Sequence, residues 1–291
     1  MPLFYERTFR VRYSECDVLG HVNNTNYLRY MQETAFDASA AAGYGMDIYS
    51  KINRVWLARQ TEIEYLRPLC YGDSVIVRTW VADFRRVTSR REYEMRLSTT
   101  GEPVARGYTE WAFVDSKTAR PAAIPPEAVS AFFPEGRAPD APPRERIPAP
   151  PPPPAGAYTM RRQVAWHEID TARFVNNPIY LTYAEDCGFN AIAACHWPVA
   201  RMLDTGGAIV AHKNQVEYLA PAMLGDELEV VTWLSDVRRA SAMRHYTISR
   251  AGDGTLLARV HTYSAWLNRV TGRAAPFPAE MLDDFAPQIV A

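Results

Sequence analysis

Two aspartates, Asp17 and Asp170, stand 153 positions apart, and each is followed seven residues later by an asparagine, Asn24 and Asn177. Each aspartate falls in a loop that leads into a helix start. The first N–H groups of a helix lack intrahelical acceptors, and the helix dipole favours negative charge developing there. A carboxylate so placed can act as a general base or nucleophile toward an electrophilic carbonyl. It can equally be a turn or capping residue. The Asp-x6-Asn spacing alone does not decide between these.

The elements around the two aspartates do more. At the same offset of 153, YSECDVLGHVNNTNYLRY (13–30) lies over WHEIDTARFVNNPIYLTY (166–183) without a gap. Glu15/Glu168, Val22/Val175, Asn23/Asn176, Tyr27/Tyr180, Leu28/Leu181 and Tyr30/Tyr183 are identical pairs. The register continues through Tyr65/Tyr218, Gly72/Gly225, Trp80/Trp233, Arg85/Arg238, Arg86/Arg239 and Tyr93/Tyr246. One register held across a whole domain marks a duplication.

Each half reads as strand, loop, helix, then four strands. Asn24 or Asn23 caps the first helix, and Asn177 before Pro178 fits a cap followed by proline. The helices are expected to run to about Ala42 and Cys195. Strand-like stretches follow at 55–66, 73–83, 87–98 and 103–115, with counterparts at 208–219, 226–236, 240–251 and 255–268. Their turns predict an antiparallel meander, and one helix on such a sheet makes an α+β layer. The expected division is a first domain over 1–133, a Pro-rich linker over 134–157 and a second domain over 158–291. Consecutive prolines favour extended polyproline II, so the linker reads as a semi-rigid spacer.

The 291 residues are 47% hydrophobic, with a formal net charge of −1. That composition supports packed cores and gives no electrostatic case for nucleic acid or an anionic membrane. No apolar run is long enough to span a bilayer, and the N-terminal stretch lacks a signal-peptide pattern. Cys16, Cys70, Cys187 and Cys195 show no zinc spacing and read as free thiols of a cytoplasmic protein.

The loop Tyr13-x3-Asp17-x2-Gly20-His21-Val22-Asn23-Asn24-x2-Tyr27 resembles the signature of the 4-hydroxybenzoyl-CoA thioesterase family of hot-dog proteins. Its GHVNN-x2-Tyr part is also similar to acyl-ACP thioesterases, themselves tandem hot-dogs. The resemblance implies two hot-dog domains, each a five-stranded antiparallel sheet wrapped around a long central helix, paired as a pseudo-dimer. It implies hydrolysis of an acyl-CoA to a carboxylate and free coenzyme A, with no cofactor besides the CoA of the substrate and no metal. Acyl carrier protein is the variant carrier, and a homo-oligomer of the fused pair remains open. A hot-dog dehydratase or hydratase and a non-catalytic acyl-CoA binding protein are the rival classes.

By the same resemblance Asp17 and Asp170 are nucleophile or general base, and the Asn24 and Asn177 amides polarise the thioester carbonyl. His21 matches a histidine that takes part in the acyl-ACP thioesterase site. The asparagine accompanying it there, two residues after the aspartate, is Leu19 here, so that constellation is incomplete. His21 therefore either handles a proton or orders the loop. Arg85, Arg86, Arg238 and Arg239 would meet coenzyme A phosphates, or else they are solvated edge charges. Tyr27 and Tyr180 are read as pocket wall or core. The second loop carries Arg173-Phe174 in place of Gly20-His21, so the Asp17 site is expected to carry most of the turnover.

Overall fold

The structure is a computed structural model and describes residues 2–136, 143–144 and 146–290. The chain divides into two compact units, residues 1–146 and 147–291. Part of the expected linker, 137–142 and 145, lies outside the described residues. The linker prolines 148 and 150–154 belong to no helix or strand.

In the first unit, β1 (Tyr5–Arg10) precedes the long helix α1 (Asn24–Ala41) and a short helix α2 (Met46–Lys51). Four strands follow: β2 (Arg54–Tyr65), β3 (Ser74–Phe84), β4 (Thr88–Leu97) and β5 (Pro103–Asp115), then α3 (Pro126–Phe132). The second unit repeats this as β6 (Tyr158–Gln163), α4 (Asn177–Ala194), α5 (Val199–Asp204), β7 (Gly207–Tyr218), β8 (Glu227–Ser235), β9 (Ser241–Arg250), β10 (Leu256–Asn268) and α6 (Ala279–Phe285).

The strand order is β1-β3-β4-β5-β2 in one unit and β6-β8-β9-β10-β7 in the other, antiparallel throughout. Only β3-β4-β5 is the expected meander. β2 crosses over to pair with β5, because α2 carries the chain from the end of α1 to the far edge of the sheet. The short helices α2, α3, α5 and α6 were not foreseen, since six or seven residues are too few to show a helical period.

Of the two caps expected for the first helix the structure takes Asn23, and in the second the cap moves from Asn177 to Asn176. Asn23 and Asn176 are the N-caps, and Asn24 and Asn177 are the first helical residues. The Asn23 side chain accepts from the Thr25 amide at 3.0 Å, which removes one orphan donor of the helix start. Tyr27, Leu28, Met31, Ala35 and Ala38 recur every three or four residues and are all buried, so one stripe of α1 faces the sheet. Along β3 the alternation puts Val75, Val77, Thr79 and Val81 inside, as a half-covered strand requires.

A second core forms where α2 and α3 cover the far end of the sheet, with Tyr49, Val81, Phe113, Ala128 and Phe132 buried together. The second unit builds the same cluster from Met202, Leu234, Trp266, Met281 and Phe285. These are the same five places at the offset of 153, and four of the five residues differ. What the duplication keeps is the position and apolar character of the cluster rather than its individual side chains. Among the described residues no helix is long and apolar enough to cross a membrane, and the four cysteines are free thiols.

Arg144, inside the proline-rich segment, is locked onto the first unit. Its guanidinium pairs with Asp83 and Thr88, with Glu110 at 3.9 Å, and both Arg144 and Asp83 side chains are 7% exposed. Breaking a buried pair from one side leaves the other charge stranded, which costs about 3–5 kcal/mol. Arg144→Met should therefore destabilise the first unit by that amount in urea unfolding. Adding Asp83→Asn should recover a large part of the loss. Unchanged stability in Arg144→Met would show that the pair contributes nothing.

Candidate active site

The two aspartate loops have one geometry. Asp17 N–H donates to His21 O at 2.8 Å, Gly20 N–H to Asp17 O at 3.0 Å, and Leu19 N–H to the Asp17 carboxylate at 2.8 Å. In the second loop Asp170 N–H donates to Phe174 O at 3.0 Å, Arg173 N–H to Asp170 O at 3.0 Å, and Ala172 N–H to the Asp170 carboxylate at 2.8 Å. Each carboxylate is thus held by the amide two residues on, an Asx-type turn.

The turn needs a left-handed residue in its middle. Gly20 takes φ +80° there at no steric cost, and Arg173 takes φ +68° at the matching position. A non-glycine residue in this region costs on the order of 1–2 kcal/mol. The Arg173 side chain also forms no ion pair with Asp170 among the described residues. The second loop therefore follows the same path as the first at the cost of one strained residue, and its cation does not tie up Asp170. The remaining difference is His21 against Phe174. The His21 imidazole makes no hydrogen bond among the described residues, while its backbone bridges to Cys70.

Both loops are braced by a glutamate two residues before the aspartate. The Glu15 carboxylate accepts from the Tyr30 hydroxyl and the Arg12 amide, each at 2.7 Å. Its carbonyl accepts from the Asn23 amide at 2.9 Å and the Asn26 side chain at 3.0 Å. Glu168 repeats this with the Tyr183 hydroxyl at 2.7 Å, the Ala165 amide at 2.8 Å and the Asn176 amide at 2.9 Å. Arg162 adds a cation to Glu168 and lies over the Tyr183 ring at 3.9 Å. The matching residue in the first unit is Phe9, stacked on Tyr30 at 4.7 Å. Burial first, then the glutamate bond, raises both Tyr30 and Tyr183 phenols. These glutamates and tyrosines were visible as identical pairs, but nothing in the spacing showed that they meet.

Tyr27 and Tyr180, read as pocket wall or core, pack inside and hold loops in place. They are 2% and 3% exposed. The Tyr27 hydroxyl accepts from the Leu69 amide at 3.0 Å, and Tyr180 from Ala222 at 2.9 Å. Leu69 O and Ala222 O in turn accept from the Val22 and Val175 amides. Each tyrosine therefore pins the loop after β2 or β7 to the aspartate loop. Burial pushes the Tyr180 phenol up to about 12, away from acid–base use at neutral pH.

The arginine pairs lie elsewhere in their units. Arg85 and Arg86 form the turn from β3 to β4, Arg238 and Arg239 that from β8 to β9, and all four are exposed. Arg85 and Arg86 line an open groove of about 480 Å³ with Phe84, Ala123, Ile124 and Val129. The start of β3, at Ser74, pairs with Arg10 just ahead of the Asp17 loop. β3 has 11 residues, so its two ends stand on the order of 35 Å apart. No single unit brings its aspartate and its arginine pair together.

Asp17 is exposed, whereas Asp170 is half-buried. Burial raises the Asp170 carboxyl, against the opposing pull of the Ala172 and Phe174 amides. A carboxyl raised on folding lowers stability as pH rises from the unfolded value of about 3.9 through its folded value. Asp170→Asn should accordingly stabilise the protein at neutral pH, and the gain should shrink toward pH 4 as Asp170 takes up its proton. Urea unfolding across pH 4–7 checks this, and a gain that grows on acidification would contradict it.

The sequence profile of the thioesterase-like superfamily matches residues 11–132 and again 164–285. A palmitoyl-acyl carrier protein thioesterase of Cuphea hookeriana is 25% identical over 190 residues, covering 62% of this chain and 45% of that protein. The chain thus spans less than half the length of this curated relative. Among solved structures, the 12:0-ACP thioesterase from Umbellularia californica superposes with a TM-score of 0.73 at 19% identity, over 90% of this chain and 93% of that one. An acyl-ACP thioesterase from Bacteroides thetaiotaomicron gives 0.70 at 16% identity, over 90% and 97%. At such identities these structures speak for the tandem fold alone.

Proposed function

Since the chain belongs to the thioesterase-like superfamily, we propose that it hydrolyses acyl thioesters with the two aspartate loops as its catalytic centres. The observation that carries this is the same braced, amide-held carboxylate at the N-terminal end of a long helix in both units. In this reading the aspartate acts as general base toward water or as nucleophile toward the thioester carbonyl. The helix start, opened by Asn24 or Asn177, faces the oxygen on which charge develops. The free thiol leaves, and the acyl group departs as a carboxylate.

The carrier in this proposal is coenzyme A, with the exposed Arg85-Arg86 and Arg238-Arg239 turns receiving its phosphates through guanidinium forks. A second reading, acyl carrier protein as the carrier, draws support from the curated relatives, which are named as acyl carrier protein thioesterases. Incubation with matched acyl-CoA and acyl-carrier-protein panels and a thiol reagent separates the two. Thiol release from neither panel would reject the hydrolase reading.

The loops share one geometry, so each single Asp→Asn variant should keep the turnover of the other loop. Replacing both Asp17 and Asp170 by Asn should lower kcat by about 10²–10⁴, the scale of a positioned base. A double variant with wild-type kcat would remove the aspartates from the mechanism. Neutralising Arg85, Arg86, Arg238 and Arg239 should raise KM for acyl-CoA more than it lowers kcat. Unchanged KM would reject the phosphate assignment.

A further inference from the structure

Each unit carries one buried arginine with no acid beside it. Arg91 on β4 is 5% exposed, and Arg244 on β9, its partner at the offset of 153, is 7% exposed. The ionisable groups near Arg91 are Tyr93 and Tyr49; those near Arg244 are Tyr246, Cys187 and Cys195. Neither guanidinium forms an ion pair among the described residues. The other arginines at this depth are paired, Arg90 with Glu92 at 2.6 Å and Arg144 with Asp83. A buried charge without a partner costs several kcal/mol, and this chain carries that cost twice at one register.

The surroundings are the same in both units. The Arg91 guanidinium lies 5.5 Å from the centre of the Phe132 ring, and Arg244 lies 5.8 Å from Phe285. Two residues along each strand, on the same face, stand the buried Tyr93 and Tyr246. A β-carbon placed on Gly188 of α4 would sit 2.5 Å from the Tyr246 hydroxyl, so this face looks toward the central helix. Thr109 and Thr262 lie opposite the two arginines on the neighbouring strands. In the second unit the Arg244 Nη1 is buried without a hydrogen-bond partner, and in the first unit the Tyr93 hydroxyl is. Arginine can only donate, and the phenol has a proton to give. What each arginine lacks is an acceptor bearing one negative charge.

We propose that Arg91 and Arg244 receive the carboxylate at the far end of an ω-carboxyacyl group, so that the protein selects thioesters of dicarboxylic acids. The proposal rests on the thioester hydrolase reading above. A carboxylate matches the guanidinium fork with two parallel bonds and cancels its single charge. A phosphate dianion would leave an uncompensated charge among Phe132, Tyr49 and Val81, or among Phe285, Met202 and Leu234. In this proposal the methylene chain would lie against these apolar side chains and the arginine would fix its end, the usual division of labour in a ligand pocket. Plain acyl chains would leave the cation unanswered, which turns a binding contact into discrimination.

The test is a ladder of ω-carboxyacyl-CoA thioesters set against plain acyl-CoA thioesters of equal length. At one or more lengths the wild type should favour the ω-carboxyl substrate about tenfold or more in kcat/KM, the worth of one charge-assisted bond. Arg91→Met with Arg244→Met should erase that preference, and the double Lys variant, which keeps charge but loses the fork, should fall between. The free dicarboxylic acid of the favoured length should raise the Tm of the wild type and not of the Met variant. Hydrolysis of plain acyl-CoA with no ω-carboxyl preference at any length would overturn this inference and leave the hydrolase reading standing. A preference that survives in the Met variant would also overturn it, as would equal Tm shifts by the monocarboxylic acid. If no thioester is cleaved, the hydrolase reading fails, and the dicarboxylic acid Tm shift, with its loss in the Met variant, decides the carboxylate site alone. If the Met variant does not fold, the Lys variant against wild type carries the comparison.

Discussion

The position of each aspartate depends on a glutamate carboxylate two residues ahead of it. Glu15 and Glu168 each join a backbone amide at the end of the first strand, a tyrosine hydroxyl on the central helix and, through the carbonyl, the helix cap. Four pieces of chain meet on one residue. Such bonds to a charged group are worth about 1.5–3 kcal/mol each, and a partly buried carboxylate left without them would be costly. The loop between strand and helix is therefore not free to wander. Its one strained point, Arg173 at φ +68°, persists because the surrounding bonds determine it.

The two units solve the same problem with different side chains. Where Phe9 stacks on Tyr30, Arg162 stacks on Tyr183 and also neutralises Glu168. The Glu15 side chain is 12% exposed and Glu168 is 5% exposed. The more deeply buried carboxylate has the closer and better-shielded cation, Arg162, whereas the exposed Arg12 stands 3.7 Å from Glu15, the order expected from desolvation. The same logic separates the paired Arg144 from the unpaired Arg91 and Arg244.

Much of this was legible in the sequence. The duplication is readable because its register is unbroken, and the strands of the second unit fall within one residue of the expected bounds at 226–236, 240–251 and 255–268. Strand order was not, because β2 and β3 look alike in alternation and only α2 decides that β2 pairs with β5. Of the site, the sequence shows which residues recur but not which of them touch. Tyr27 and Tyr180 looked like pocket residues, and their hydroxyls are committed to loop amides 42 residues away in sequence. Arg85 and Arg86 recur as a pair in both halves, but only the fold shows that a strand's length separates them from Asp17 within their unit. Long-range geometry of this kind leaves no local trace in spacing.

The seating of Arg144 changes what the proline-rich stretch is. A spacer can be lengthened, shortened or cut with little effect on its neighbours, whereas this one supplies the buried cation of Asp83 and Glu110, to which the exposed Arg85 adds only a 4.0 Å contact with Asp83. A protease cleaving just before Arg144 would therefore sever more than a tether. The first half released from such a cut would carry two acids on its sheet with their buried guanidinium on the other fragment. Its autonomy ends not at the last helix but at a guanidinium among the prolines.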